Sequence, residues 1–187
     1  NAAYEYHRAD NILLTGTPTE YCVSGSDPTP TITGTTGGTF SSTTGLSINA
    51  STGEIDLSTS TAGTYTISYL TSSNLCAVTG TFAVTITNDE DGTFTYAAAS
   101  YCQTGSDPTP TISGTTGGTF SSTAGLIINS STGEIDLSAS SVGTYTVSYL
   151  TSSNVCAVTG TFDVTITPDE DASFSYASYG YCTDDSD

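Results

Sequence analysis

Hydrophobic and polar residues alternate along much of this chain, which is the pattern of a β-strand with one buried face. In residues 64–69, Tyr65, Ile67 and Tyr69 fall on one face, and threonine and serine fall on the other. The same period of two continues through residues 76–86. Hydrophobic residues at helical spacing are absent, so the sequence predicts antiparallel strands and no helix.

Turn signals divide these strands into short elements. Leu46 and Ile48 alternate before the segment 49–53, and Ile55 and Leu57 alternate after it, which predicts a hairpin closed by Gly53. About seven short strands in one repeat are typical of an immunoglobulin-like (Ig-like) sandwich. The sequence therefore predicts an all-β fold of tandem Ig-like antiparallel β-sandwich modules, arranged as beads on a string. Tyr65 and Tyr145, each at the start of a strand, are predicted to form the tyrosine corner of this fold.

The chain consists of an internal repeat. Residues 21–100 recur as residues 101–180 with 61 of 80 positions identical, and a third copy opens at Tyr181 and Cys182. A period of 80 residues is longer than a solenoid unit, so each copy is expected to be a small domain. The predicted boundaries give an atypical lead-in (1–13), a first module (14–90), a second module (91–170) and the opening strand of a third (171–187).

The cysteines follow the repeat. Cys22 and Cys76 are 54 positions apart, as are Cys102 and Cys156. Disulfides could join cysteines within a module, Cys22 to Cys76 and Cys102 to Cys156, or across boundaries, Cys76 to Cys102 and Cys156 to Cys182. We favour pairing within modules, because it makes each small core independent and leaves Cys182 unpaired or available to a further module. Either register indicates an oxidising compartment.

Charge and composition exclude several classes of function. The 187 residues include 19 acidic side chains, one arginine and no lysine, for a net charge of −18, which opposes any nucleic-acid partner. No stretch is apolar enough to predict a membrane span. The single histidine, His7, lies outside the repeat, so no catalytic triad or histidine metal site can recur in each module, and no enzyme is expected.

Acidic residues cluster where each module ends. Asp89, Glu90 and Asp91 follow the last strand of the first module, and Asp169, Glu170 and Asp171 follow that of the second. Several carboxylate oxygens at a hinge are the ligands that Ca²⁺ prefers. Calcium at the junctions is therefore a hypothesis, although the spacing matches no EF-hand loop, and acidic linkers also extend through self-repulsion alone.

Several strings in the repeat resemble a known family. The runs Gly45-Leu46-Ser47-Ile48-Asn49 and Ala62-Gly63-Thr64-Tyr65 look like bacterial Ig-like repeats of giant surface proteins. The strings Tyr101-Cys102, Gly105–Ile112 and Gly117–Phe120 resemble the repeats of very large Bacteroidetes (flavobacterial) adhesins of the gliding-motility type. This resemblance covers both modules and implies an extracellular filament of many such domains, exported by the type IX secretion system.

The function predicted from these observations is a structural stalk: a repeat segment of a long extracellular adhesin or cell-surface filament, with neighbouring repeats as its partners. An alternative is a filament subunit that polymerises with identical subunits, its terminal strand completing the sandwich of the next copy. A third hypothesis is a carbohydrate-binding module that takes surface glycans.

Overall fold

The computed structural model describes residues 19–72, 77–153 and 155–175, and this part of the chain contains strands and loops but no helix. The strands of the first module are β1 (Glu20–Cys22), β2 (Thr39–Ser42), β3 (Ser47–Ile48), β4 (Ile55–Asp56), β5 (Gly63–Leu70) and β6 (Thr79–Thr87). Those of the second are β7 (Phe94–Thr95), β8 (Ser100–Cys102), β9 (Thr111–Ile112), β10 (Thr119–Ser122), β11 (Ile127–Ile128), β12 (Ile135–Asp136), β13 (Gly143–Leu150) and β14 (Thr159–Thr167).

The two modules have the same sheet order. In the first, a four-stranded sheet runs β1-β6-β5-β2, and β3 pairs with β4 as a separate hairpin. In the second, the corresponding sheet runs β8-β14-β13-β10, the hairpin is β11-β12, and β7 pairs with β9. The prediction of an all-β fold of tandem Ig-like sandwiches is therefore confirmed.

The predicted alternation places the core. Tyr65, Ile67 and Tyr69 of β5 are buried, and they face Val84 and Ile86 of β6 across an antiparallel register. The second module repeats this core, and its cluster also includes the buried aromatic side chains of Phe94 and Tyr96. The ring of Phe94 packs edge-on against that of Phe120 at a centroid distance of 5.3 Å. Each module thus buries its own hydrophobic cluster between its sheets.

The hairpin of β3 and β4 turns on a glycine. Gly53 has a φ of 75°, in the left-handed region, and its amide donates to the carbonyl oxygen of Asn49. A β-carbon at this position would lie 2.7 Å from the ring of Phe40, so the turn also packs directly onto the core. Both requirements select glycine here, which explains why the sequence signal for this hairpin is clear.

One strand pairing in each module departs from the antiparallel prediction. β1 lies parallel to β6, with Cys22 opposite Thr87, and β8 lies parallel to β14, with Cys102 opposite Thr167. A parallel partner of the last strand carries its own final residue to the end where that strand stops. The first cysteine of each module is therefore placed at the end of the module that meets the next one.

Candidate functional site at the module junction

The junction is formed on one side by a loop of the second module, residues 151–158, called here the cysteine loop. It connects β13 to β14, and the Thr151 amide donates to the Val158 carbonyl at 3.0 Å while the Val158 amide donates to the Thr151 hydroxyl at 2.8 Å. Inside the loop, the hydroxyl of Ser153 accepts the amides of Val155 and Cys156 at 3.2 and 3.0 Å. These bonds close the base of the loop and fix the backbone on either side of the Cys156 sulfur.

A disulfide joins this loop to the first module. Cys22 and Cys156 are bonded, with their α-carbons 5.4 Å apart, which is an ordinary separation for a disulfide. Cys156 is only 3% exposed, and Cys22 is half-buried. The Sγ atom of Cys22 also lies 3.1 Å from the carbonyl oxygen of Val155, a contact and not a hydrogen bond, since a disulfide sulfur has no proton to donate. The bond therefore crosses the boundary between modules and is largely shielded from solvent.

The predicted pairing of Cys22 with Cys76 and of Cys102 with Cys156 is wrong. Cys102 lies opposite Thr167, the last residue of β14, whereas Cys156 precedes Thr159, the first residue of that strand, by three positions. A nine-residue strand is about 30 Å long, and disulfides require α-carbons within about 7 Å. The two cysteines of one module thus lie at opposite ends of its longest strand and cannot meet.

The cysteines instead follow a register in which the first cysteine of one module pairs with the second of the next, 134 positions later. Cys102, the equivalent of Cys22, is a free and exposed thiol. Cys76 and Cys182 lie outside the described residues. The sequence predicts a disulfide partner for Cys76 and an unpaired or inter-module role for Cys182. The observed register also excludes the alternative pairing of Cys156 with Cys182, because the sulfur of Cys156 is already bonded.

Glu90 forms a second attachment to the cysteine loop, through hydrogen bonds, in addition to the disulfide. Its backbone amide donates to the carbonyl oxygen of Cys156 at 3.1 Å, and its Oε2 accepts the amide of Ser153 at 3.0 Å. A linker residue thus contacts both the cysteine and the residue that shapes the loop around it. Hydrogen bonds to a charged acceptor are worth more than neutral ones, about 1.5–3 kcal/mol each. Glu90 therefore contributes to the docking of the two modules in addition to the disulfide.

Four of the other five carboxylates of the predicted calcium clusters each have a separate donor. Asp89 accepts the hydroxyl of Ser24 at 2.8 Å, and Asp91 accepts the amide and the hydroxyl of Thr93, which lowers the pKa of the Asp91 carboxyl. At the second junction Asp169 accepts the hydroxyl of Thr104 at 2.6 Å, and Asp171 accepts the amide of Ser173 at 2.8 Å, which likewise lowers the pKa of Asp171. Glu170 is exposed.

A different group of ligand atoms comes together at the junction. Within the described part of the chain, Cys22, Asp89 and Cys156 are the residues whose possible metal-ligating atoms lie within 4.8 Å of one another. Two of these atoms are the sulfurs of the disulfide, which leaves one carboxylate as a ligand. This arrangement does not fit a metal site, because a cation at this position would need several further oxygens. Beside it, a cleft of about 390 Å³ opens between residues 90–94 and β14.

The two tyrosines predicted at the corners each bond to backbone within their own module. The hydroxyl of Tyr65 donates to the carbonyl oxygen of Thr61 at 2.7 Å, and that of Tyr145 donates to the carbonyl oxygen of Ser141 at 2.9 Å. A tyrosine hydroxyl returning to backbone a few residues upstream is the geometry of a tyrosine corner. Each tyrosine fixes the backbone that leads into its own strand, β5 for Tyr65 and β13 for Tyr145, which is a structural role.

Comparisons with known proteins give similarity at the level of shape. No protein-family model matches the chain, and no curated protein matches it. Among solved structures it is similar to a SusE-like, surface-located polysaccharide-binding protein from the Bacteroides thetaiotaomicron heparin utilisation locus (15% identity, TM-score 0.38, 80% of this chain and 32% of that one). It is also similar to mouse protocadherin-24 EC1-3 (16% identity, TM-score 0.30, 82% of this chain and 62% of that one).

The described residues include no helix that is long and apolar enough to cross a membrane. With similarity confined to overall shape, the function rests on the chemistry of the junction.

Proposed function

We propose that this chain is a segment of the stalk of a long extracellular adhesin or cell-surface filament, in which successive modules supply reach and stiffness for adhesion or gliding. The observation that carries the proposal is the Cys22–Cys156 disulfide between modules. A domain that worked alone would place its disulfide inside its own core. A bond between neighbours instead stabilises their relative position, which matters only when the modules act as a row.

The physical effect of the bond is to remove hinge freedom. The peptide linker at residues 88–93 is one covalent connection between modules, and the disulfide is a second one, displaced from it. Two separated connections permit much less bending and rotation than one. Glu90 adds hydrogen bonds between them. The role that we infer is mechanical, with no catalytic step.

An extracellular location fits the same observations. Disulfides persist in oxidising compartments, and a net charge of −18 without lysine keeps long arrays soluble and apart. The motifs shared with flavobacterial gliding-type adhesins support a Bacteroidetes cell surface and export by the type IX system as part of this proposal. Neighbouring modules of the same kind are the partners that the proposal requires.

Small-angle X-ray scattering of the full chain tests the stiffness directly. The oxidised protein should scatter as one elongated particle with a narrow distribution of maximum dimensions. Cys22→Ser should broaden that distribution and reduce the mean dimension, because only the linker then joins the modules. Cys102→Ser is the matched control: it removes a cysteine from the equivalent position but breaks no bond within the chain, so the scattering of its purified monomer should equal that of the unmodified monomer.

Reduction with a thiol reagent should reproduce the effect of Cys22→Ser in the unmodified chain. If the oxidised chain already scatters as two freely reorienting modules, or if Cys22→Ser leaves the dimensions unchanged, the disulfide does not stiffen the row and the stalk proposal fails.

A further inference from the structure

The end of the second module repeats the end of the first in backbone detail. We call residues 20–25 with 87–90 the module-1 end, and residues 100–105 with 167–170 the module-2 end. At the module-1 end the amide of Val23 donates to the carbonyl of Thr87 at 3.1 Å; at the module-2 end Gln103 donates to Thr167 at the same distance. The amide two residues further on closes the same turn onto the cysteine carbonyl, at 2.9 Å in each case. The backbone that presents the sulfur is therefore formed even where no disulfide is made.

The two ends differ in what covers them. Cys22, Asp89 and Glu90 are half-buried, whereas Cys102, Asp169 and Glu170 are exposed. At the module-1 end the cover is the cysteine loop of the following module, which brings Cys156 to Cys22 and Ser153 to Glu90. The module-2 end presents the same groups, a free thiol and a glutamate, with this cover missing from the described residues.

The chain contains a second segment with the sequence of the cysteine loop. Residues 71–76 read Thr-Ser-Ser-Asn-Leu-Cys, and residues 151–156 read Thr-Ser-Ser-Asn-Val-Cys. The base of the first-module segment is closed by the same hydrogen bonds, with Thr71 donating to the Val78 carbonyl at 3.0 Å and Val78 donating to the Thr71 hydroxyl at 2.9 Å. Cys76 itself is outside the described residues.

From these observations we propose that the module-2 end is a docking surface for the 71–78 segment of a second copy of this chain, completed by a disulfide between Cys102 and the Cys76 of that copy. The inference rests on the proposed function, because it extends the module-to-module contact of a stalk from one chain to the next. Glu170 takes the role that Glu90 has at the first junction, and accepts the backbone amide of Ser73 in the second copy. Copies joined in this way form a head-to-tail row.

The covalent step is a two-electron oxidation, and its oxidant is a small-molecule disulfide such as oxidised glutathione. The Cys102 thiolate attacks one sulfur of oxidised glutathione, forming a mixed disulfide and releasing one glutathione thiolate. The Cys76 thiolate of the second copy then attacks the Cys102 sulfur of that mixed disulfide and displaces the second glutathione. Two protein thiols lose two protons and two electrons, and one glutathione disulfide becomes two glutathione thiols.

Two complementary variants test the pairing, both with Cys182→Ser to remove the remaining thiol. Cys76→Ser keeps Cys102 and supplies only the docking surface; Cys102→Ser keeps Cys76 and supplies only the segment. One of them is isotopically labelled, and they are incubated with glutathione redox buffer separately and together. We expect the mixture to give at least about ten times more disulfide-linked dimer than either variant alone, all of it between labelled and unlabelled chains.

Peptide mapping identifies the bond. Cleavage after glutamate separates every cysteine, because Cys22, Cys76, Cys102, Cys156 and Cys182 alternate with Glu54, Glu90, Glu134 and Glu170. The expected cross-link joins peptide 55–90 of one chain to peptide 91–134 of the other. Equal dimer formation by Cys76→Ser alone would show that Cys102 is only an exposed reactive thiol, and would overturn the inference. So would a mixture that stays monomeric.

The docking contact is tested separately from thiol reactivity. Glu170→Gln should slow formation of the mixed dimer several-fold, since it weakens the acceptor for the amide of Ser73, whereas Glu134→Gln, an exposed glutamate on the β11-β12 hairpin, should not. An exposed thiol that reacts without docking would not be slowed by the loss of a carboxylate. If no mixed dimer forms while the Cys22–Cys156 monomer still scatters as a stiff rod, this inference fails and the stalk proposal stands.

Discussion

Buried tyrosine hydroxyls bind backbone carbonyl oxygens across both modules. The fully buried Tyr149 donates to the carbonyl of Thr115 at 2.9 Å and accepts the amide of Gly118 at 2.8 Å. The corresponding bonds of Tyr69 tie down the glycine- and threonine-rich stretch of the first module. The alternation predicts that these rings point inward, but it contains no information on which distant carbonyl each hydroxyl reaches. That depends on loop paths that sequence periodicity does not specify.

Tyr149→Phe should destabilise the second module by about 2 kcal/mol, because it leaves the half-buried amide of Gly118 and the half-buried carbonyl of Thr115 without their partner while keeping the ring. Guanidinium unfolding followed by tyrosine fluorescence measures the change. Thr144→Ala, on the exposed face of the same strand, should change stability by less than about 0.5 kcal/mol. A Tyr149→Phe variant as stable as the original would show that water replaces the hydroxyl.

Tyr96 makes the second module sensitive to alkaline pH. Its hydroxyl donates to the carbonyl of Gly133, and burial, with a smaller contribution from Tyr101, raises its pKa above the ordinary value near 10. The folded module therefore holds this proton more tightly than the unfolded chain. The resulting stability is fully present below about pH 10 and is lost as pH rises toward the folded pKa.

Tyr96→Phe should accordingly cost about 1 kcal/mol at pH 7, where the hydrogen bond is lost. The difference between the variant and the original should shrink between pH 10 and 11, because Tyr96 of the original then ionises in the unfolded chain while the folded module keeps its proton, whereas the variant has no such group. Unfolding free energies measured from pH 7 to 11 test this, since ionisation of the other tyrosines is common to both proteins. A constant difference across that range would contradict the argument.

At the scale of elements, the sequence predicts strands and hairpins well and their pairing partners poorly. The alternation in β5 and β6, the hairpin at Gly53 and the sandwich are all found in the structure. The parallel pairing of β1 with β6 is not visible in the sequence, since a three-residue strand has no periodicity that distinguishes the two directions. That pairing carries Cys22 to the end of the module that meets the next one, a placement that the expectation of independent, internally bridged modules does not take into account.

A close approach of two backbones attaches the linker to the second module. A β-carbon on Gly160 of β14 would lie 1.9 Å from the carbonyl oxygen of Gly92, and one on Gly92 would lie 2.6 Å from the amide nitrogen of Gly160. Contacts this short cannot be relieved by a side-chain rotation, because both partners are backbone. Neither glycine stands out in the sequence, where Gly160 simply continues an inward-facing series.

Gly160→Ala should therefore destabilise the second module by about 2–3 kcal/mol, a typical cost of overpacking. Thr161→Ala, the exposed neighbour on the same strand, is the control and should have little effect. Thermal unfolding of the oxidised chain separates the two outcomes, and a Gly160→Ala variant with an unchanged melting temperature would show that the linker can move away from β14 at no cost.

At the scale of the whole molecule, calcium binding at the junctions stays a prediction, and it would require existing hydrogen bonds to be broken. An ion at the first junction would have to draw Asp89, Glu90 and Asp91 away from their separate donors. If calcium binds there, millimolar Ca²⁺ should release heat in calorimetry and raise the melting temperature, and Asp91→Asn should reduce both effects. Asp56→Asn, a carboxylate on the exposed hairpin, serves as the control. Absence of heat and of any melting shift would remove calcium from the model of the stalk.

The register of the disulfide also decides how the chain carries tension. A force that enters before Cys22 passes through the sulfur bond to Cys156, so the 134-residue interval between them bears almost none of it. Pulling a single oxidised molecule by its ends should leave most of both modules folded. Adding a reductant should release about 450 Å of extra contour length. If later modules follow the same register, the disulfide-closed loops overlap, and the load passes through the disulfides and the chain segments between them while most of each module carries little tension.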